Sequence, residues 1–269
     1  MAEQRALFAF IHGDFGDGQG TWGDVVAALG KERPTLVIER PGNDRLRLDR
    51  ERHTFASDAA AAIDDLERAG STQIHLVGHS YGALVAIEVA TRRPGWIRSL
   101  HLIEPPYFAL LPEDDAAQAM NRAARQIQAD YPLLGDDRST AAFFTMIDLQ
   151  RAVDRLRGTP EWERLAAYAS RFARSEPAGD FPAAALERLP EGMPVALYSG
   201  GRSHFALRAI LQALASRLSD AEVIEIETAN HAVQRSGAPF VSKMLETADR
   251  ADRAAHGRPL ASGSGATGK

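Results

Sequence analysis

The sequence predicts an α/β fold, a mostly parallel sheet of about six strands with helices on both faces and a helical lid inserted after the fourth strand. Three observations carry this prediction. Short β-rich runs alternate with helical patterns through most of the chain, as strands joined by crossover helices do. The interval from Pro105 to Pro190 breaks the rhythm, with helical patterns and no strand-like run. A length of 269 residues, 45% hydrophobic and 25% charged, suits a large core in an ordinary globular protein.

The elements follow in order. The first strand, Ala6 to Ile11, is a short apolar run directly after Met1-Ala2-Glu3-Gln4-Arg5. A helical stretch, Thr21 to Gly30, leads to the strand Thr35 to Ile38, and a helix, Thr54 to Ala69, leads to the strand Gln73 to Val77. The apolar run Ile74-His75-Leu76-Val77 stops where a helix, Tyr81 to Arg92, begins, and the fourth strand is Ile97 to Ile103. Helices near Asp114 to Asp130, Ser139 to Arg157 and Pro160 to Arg174 then fill residues 105–190, which read as a lid over the sheet. Strands Pro194 to Tyr198 and Glu222 to Ile226 alternate with helices His204 to Leu218 and Ala238 to Ala255. Residues 1–104 and 191–256 therefore make the core, and 257–269, of linker composition, a tail expected to be disordered.

Composition excludes several functions. A net charge of −5 and a pI near 5.9 leave no basic footprint for nucleic acid. Without cysteine, disulfides, thiol nucleophiles and cysteine metal sites are excluded. The N-terminus lacks the apolar core and cleavage pattern of a signal peptide, and no apolar run approaches a membrane span, so the chain reads as cytoplasmic with no membrane partner.

The chemistry is concentrated at the ends of the predicted strands. Gly78-His79-Ser80-Tyr81-Gly82 joins a strand to a helix through a sharp turn with a serine at its apex. Such an apex is strained and lifts the hydroxyl clear of the sheet, so Ser80 is the candidate nucleophile. Acyl transfer builds an oxyanion that needs two fixed N–H donors. The loop His12-Gly13-Asp14-Phe15-Gly16 after the first strand offers Asp14, and the residue after the serine offers Tyr81. The same loop runs on through Gly18 and Gly20 to a helix, with Glu39 about twenty residues further on, which raises a dinucleotide site. Its irregular spacing and the Arg40-Pro41-Gly42 that follows argue against that site, and no cofactor is expected.

A serine hydroxyl needs an adjacent base. His231, in the loop after the last strand, emerges at the same sheet edge as Ser80 and is the candidate. Of the eight histidines, His53, His101, His204 and His256 read as surface or hydrogen-bonded residues, His12 as a brace of the oxyanion loop, and His79 as directed away from the serine.

Together, the His12-Gly13 turn, Gly78-His79-Ser80-Tyr81-Gly82, the helical insertion after the next strand and the late His231 resemble the α/β-hydrolase superfamily, over about Leu7 to Ala248. Trp22, Pro41-Gly42 and Glu104-Pro105-Pro106 also resemble its small single-chain members. The resemblance implies an α/β-hydrolase fold with Ser80 as nucleophile, His231 as base, Asp14 and Tyr81 as oxyanion hole, and no metal. The chain departs from the family in two places. It begins at what would be the third strand, which implies a shorter sheet. Ser199-Gly200-Gly201-Arg202-Ser203 stands where the family usually has an aspartate. Glu104, at the end of the fourth strand, is the candidate acid, as in members that resemble this arrangement. A Ser-His dyad, an acid from the lid, or a helix-capping or arginine-paired role for Glu104 stay open.

The function expected is a serine hydrolase acting on an ester, thioester or lactone through an acyl-enzyme. The partner is a small-molecule acyl substrate, carrier-bound in a variant that Gly82-Ala83 favours by its similarity to stand-alone thioesterases. Tyr107, Phe108, Phe143 and Phe144 are the candidate substrate-binding residues among lid aromatics that otherwise form the lid's own core. A cofactor-free lyase or carbon-carbon bond hydrolase, marked by a charged lid residue facing Ser80, and a non-catalytic binding protein are the alternatives.

Overall fold

The computed structural model describes residues 5–31, 33–42 and 52–256. Six parallel strands form one sheet in the order β2-β1-β3-β4-β5-β6. They are β1 (Leu7–Ile11), β2 (Thr35–Ile38), β3 (Ile74–His79), β4 (Ile97–Ile103), β5 (Val195–Gly200) and β6 (Ala221–Ile226). β1 lacks any polar residue because both of its faces are covered. Leu7, Ala9 and Ile11 join a core beneath α2 (Phe55–Ala69), α3 (Tyr81–Arg92) and α8 (Phe205–Ala215). Phe8 and Phe10, alternating with them, enter a second core with Trp22 and Val25 of α1 (Gly18–Leu29) and Phe240 and Met244 of α9 (Ala238–His256).

The helical insertion lies between β4 and β5, as expected, but its helices divide differently. α4 (Asp115–Met146) runs through Pro132 and bends at Gly135, where φ is 65°. The break expected before Ser139 is therefore a kink, since packing of α4 on α7 (Ala169–Arg174) outweighs the lost proline N–H. The helix expected over Ser139 to Arg157 is interrupted at Asp148, with φ 62°, leaving α5 (Gln150–Leu156). The stretch from Pro160 to Arg174 likewise splits into α6 (Pro160–Ala166) and α7. The tail 257–269 lies outside the described residues.

Candidate active site

Ser80 occupies the one-residue turn between β3 and α3 with φ 53° and ψ −124°, a backbone region that side chains rarely adopt. Its amide donates to the Ile103 carbonyl at 2.8 Å, tying the turn to the end of β4. The flanking glycines are required by two different contacts. A Cβ on Gly78 would lie 2.6 Å from Ala83 Cα in the helix that folds back on the strand. One on Gly82 would lie 2.3 Å from the His12 carbonyl oxygen, so this glycine admits the end of β1 rather than the end of β3.

His231 follows β6, and its Nδ1 is 2.7 Å from Glu104 Oε2. Glu104 is wholly buried at the end of β4, itself at φ 42°. Its other oxygen, Oε1, accepts the Gly200 N–H at 2.8 Å. Both carboxylate oxygens are thus engaged, which offsets the cost of burying them. His79 turns its Nε2 to the His231 carbonyl oxygen at 3.0 Å, fixing that loop. Burial and the neighbouring His231 hold the His79 pKa well below the ordinary imidazole value, so it stays neutral and donates.

Asp14 and Tyr81 flank Ser80, and the two are held by one buried cation. The Arg40 guanidinium lies 4.2 Å above the Tyr81 ring, 3.1 Å from Asp14 Oδ1 through Nη1, and 2.9 Å from Asp58 Oδ2 through Nε. Arg171, from α7, reaches Asp58 Oδ2 at 2.7 Å and the Pro41 carbonyl at 3.0 Å. Burial opposes the Asp58 charge, but Arg40 and Arg171 outweigh it and hold its pKa below the usual carboxylate value. Burial raises that of Tyr81. The Asp14 amide meets no backbone acceptor among the described residues, and the Tyr81 amide, first in α3, has none within its helix. His12 braces this loop, with Nδ1 2.8 Å from the Gly13 carbonyl and Nε2 2.9 Å from Glu39. Glu39 also accepts the Gly18 N–H at 2.8 Å, so the carboxylate considered for a dinucleotide instead pins the start of α1.

Two cavities meet at this centre. A cleft of about 600 Å³ is lined by Asp14, Ser80 and His231 on the core side and by Phe143, Phe144 and Tyr168 of the lid. A slot of about 40 Å³ opens from the same three core residues between Phe108, Met120 and Phe172. Of the expected substrate-binding aromatics, Phe143 lines both cavities, Phe144 the cleft and Phe108 the slot. Tyr107 lines neither. It is wholly buried, donates its hydroxyl to the Pro182 carbonyl at 2.7 Å and packs on Phe181, so the expectation for Tyr107 is corrected to a structural role. Phe15, missed from sequence, follows Asp14 at φ 55° and packs its ring against Phe143 and Phe172 at 4.4 and 5.2 Å, joining the loop after β1 to the lid. Among the described residues no three of His, Asp or Glu converge as metal ligands, and no helix is long and apolar enough to cross a membrane.

Comparison with known proteins agrees with this architecture. A hydrolase from Pseudomonas aeruginosa superposes with a TM-score of 0.71 at 18% identity, over 91% of this chain and 91% of its own. MenH from S. aureus gives 0.71 at 15% identity, over 93% of this chain and 96% of its own. In sequence, the abhydrolase domain-containing protein abhd-5.2 of Caenorhabditis elegans is 29% identical over 130 residues, 45% of this chain. The matched region spans only 28% of that relative's length. The profile of the Alpha/beta hydrolase family matches residues 8–250, from β1 through α9 and so across every strand and the lid; the chain belongs to that family.

Proposed function

We propose that this chain is a serine hydrolase that cleaves a carboxylic ester-like bond, an ester, thioester or lactone, through an acyl-enzyme at Ser80. The observation that carries this reading is the buried Glu104–His231 pair at 2.7 Å, opening on the cleft that also holds the strained Ser80. His231 takes the hydroxyl proton as Ser80 Oγ attacks the acyl carbon. Glu104 holds Nδ1–H, which leaves the other ring nitrogen to act as base, and stabilises the imidazolium. The Asp14 and Tyr81 amides receive the developing oxyanion. The bond to the leaving oxygen or sulfur breaks, and that atom takes the proton from His231. Water, deprotonated by the same ring, then cleaves the acyl-serine to release the acid and restore Ser80.

An activated fluorophosphonate tests the nucleophile. One phosphonyl adduct on wild-type protein, and none on Ser80→Ala, is the expected mass spectrum; equal labelling of both refutes the assignment. A hydrolysis panel of oxyesters, acyl thioesters and lactones then fixes the bond cleaved. A second reading, a cofactor-free lyase or carbon-carbon bond hydrolase, calls for charged lid residues facing Ser80, and Arg155 and Arg164 do line the cleft. It predicts labelling by the phosphonate without turnover of any member of the panel.

A further inference from the structure

The two cavities that meet at Ser80 differ in chemistry. The slot is walled by Phe108, Met120, Phe143, Met146, Ile147 and Phe172. Its polar lining side chains are engaged elsewhere, Arg125 by Asp180, Gln128 by the Phe172 and Ser175 carbonyls, Asn121 by Gln118 and Glu176 by the Phe55 N–H. Its volume of about 40 Å³ admits a short apolar chain. The cleft is fifteen times larger in round terms, about 600 Å³, and three arginines line it: Arg155 of α5, Arg164 of α6, and Arg235 in the turn Val233–Ser236 that follows His231.

None of these three guanidinium groups has an ion-pair or hydrogen-bond partner among the described residues, although carboxylates line the same cleft. Asp14 is held by Arg40. Asp17 caps α1 and accepts the Tyr168 hydroxyl. Those partners are neutral and leave the Asp17 charge in place, so Asp17 and Glu161 face three arginines. In a chain of net charge −5, a cleft with this local excess of positive charge departs from the background. The three arginines are exposed, and a concave site with an excess of one sign of charge attracts ligands of the other sign, the more so at low salt. Arg235 is also close enough to the centre to disfavour, after burial and His231, the His79 cation.

We propose that the substrate is a short-chain acyl ester or thioester whose leaving group carries an anionic head, a carboxylate or phosphate, held by Arg155, Arg164 and Arg235 while the acyl chain enters the slot. This rests on the acyl-hydrolase reading above. With Ser80 at the junction, the scissile carbonyl lies between an apolar chain on one side and a charged leaving group on the other. The leaving group then departs through the wide cleft, and water enters behind it.

The test uses three thioesters of one acyl group: S-butyryl 3-mercaptopropionate, S-butyryl 2-mercaptoethyl phosphate, and the neutral S-butyryl 3-mercaptopropionamide. Wild-type kcat/KM is expected to favour an anionic thioester over the amide by about tenfold or more at low salt, with the advantage shrinking at high salt as the arginines are screened. The two anions distinguish a carboxylate head from a phosphate head. In the variant Arg155→Gln/Arg164→Gln/Arg235→Gln the anionic-to-neutral ratio is expected to fall towards one. Because it is a ratio on one preparation, partial loss of folded protein cancels. Calorimetry with Ser80→Ala protein separates this inference from the reaction assigned. Preferential binding of the anionic thioesters without wild-type turnover would sink the reaction and keep the anion site. Turnover, or binding, of all three without preference would overturn the anion site, as would a preference that survives both high salt and the triple substitution.

Discussion

Replacing Glu104 by glutamine removes a charge and adds two donors without changing shape, and its surroundings dictate how the amide must sit. The Gly200 N–H, 2.8 Å from Oε1, needs an acceptor, so the amide oxygen stays there and the NH₂ turns towards His231. At a separation of 2.7 Å from Nδ1, that NH₂ can only donate, which forces the ring to carry its proton on the other nitrogen. The tautomer able to accept a proton from Ser80 is then lost, and so is the partner for the imidazolium. The expected loss in kcat is about ten-thousandfold, or ~5.5 kcal/mol of transition-state stabilisation. The fold should survive, since two charge-assisted hydrogen bonds are weakened to neutral ones and none of the packing changes, with Tm lowered by a few degrees at about 1 kcal/mol. Steady-state kinetics on the best thioester or ester of the panel, alongside thermal melts by circular dichroism, read both quantities. Turnover of the Glu104→Gln protein within about tenfold of wild type, at an unchanged Tm, would refute the reasoning.

Three further outcomes follow from the same geometry. Ser80→Ala and His231→Ala should each lose on the order of a millionfold in kcat if chemistry limits turnover, whereas His204→Ala, which removes a cap accepting the Ala206 N–H and a ring stacked on Phe205, should keep near-normal kinetics and lose about 1 kcal/mol of stability; an essential His204 would contradict the site. Arg171→Met leaves Asp58 with Arg40 alone and unbolts α7 from the core, so denaturant unfolding should show a loss of about 3 kcal/mol, and an unchanged midpoint would show that the buried pair is not net stabilising. His79 and His101, both buried, have pKa values pushed well below 6.5 chiefly by burial, so they are neutral in the folded chain and protonated first when it unfolds. Their stabilisation is complete above the unfolded value and is lost as pH falls below about 6.5, at up to ~2.7 kcal/mol per pH unit for two protons; a stability flat from pH 7 to 5 would contradict this.

Much of this site is legible from sequence because its signals are local. The apolar run before Gly78-His79-Ser80 and the helical pattern after it place the turn. β2, β4 and α3 begin and end where their residue patterns do. β3 and β5 each run two residues past the expected ends, to His79 and Gly200, because the ladders to β4 and β6 continue through glycines whose weak strand preference hides them. The lid is less legible. Proline and glycine in α4 read as a break, where tertiary packing makes a kink. The network of Asp14, Arg40, Asp58 and Arg171 leaves no local trace, since its members are separated by as many as 157 residues, between Asp14 and Arg171, and each alone reads as a solvated charge. Only the fold brings them together beside Ser80 and the loop after β1. The cleft arginines are hidden for the same reason, being exposed residues on three separate elements.

The position of Glu104 follows from the sheet order. β4 lies between β3, which carries Ser80, and β5, so a carboxylate on β4 must cross the end of β5 to meet a histidine arriving from β6. That crossing needs β5 to end without a side chain in the way. Gly200 meets the requirement, for a Cβ there would lie 2.6 Å from the carbonyl oxygens of Ala229 and Asn230, in the loop that delivers His231. The glycines that displace the family's usual aspartate from this position are therefore part of the arrangement that uses Glu104. They let the histidine loop pack against the strand end, and the Gly200 N–H becomes the second hydrogen bond of the buried carboxylate. A side chain as small as alanine at 200 would push the His231 loop away from Glu104, which couples the two departures from the family pattern into one change.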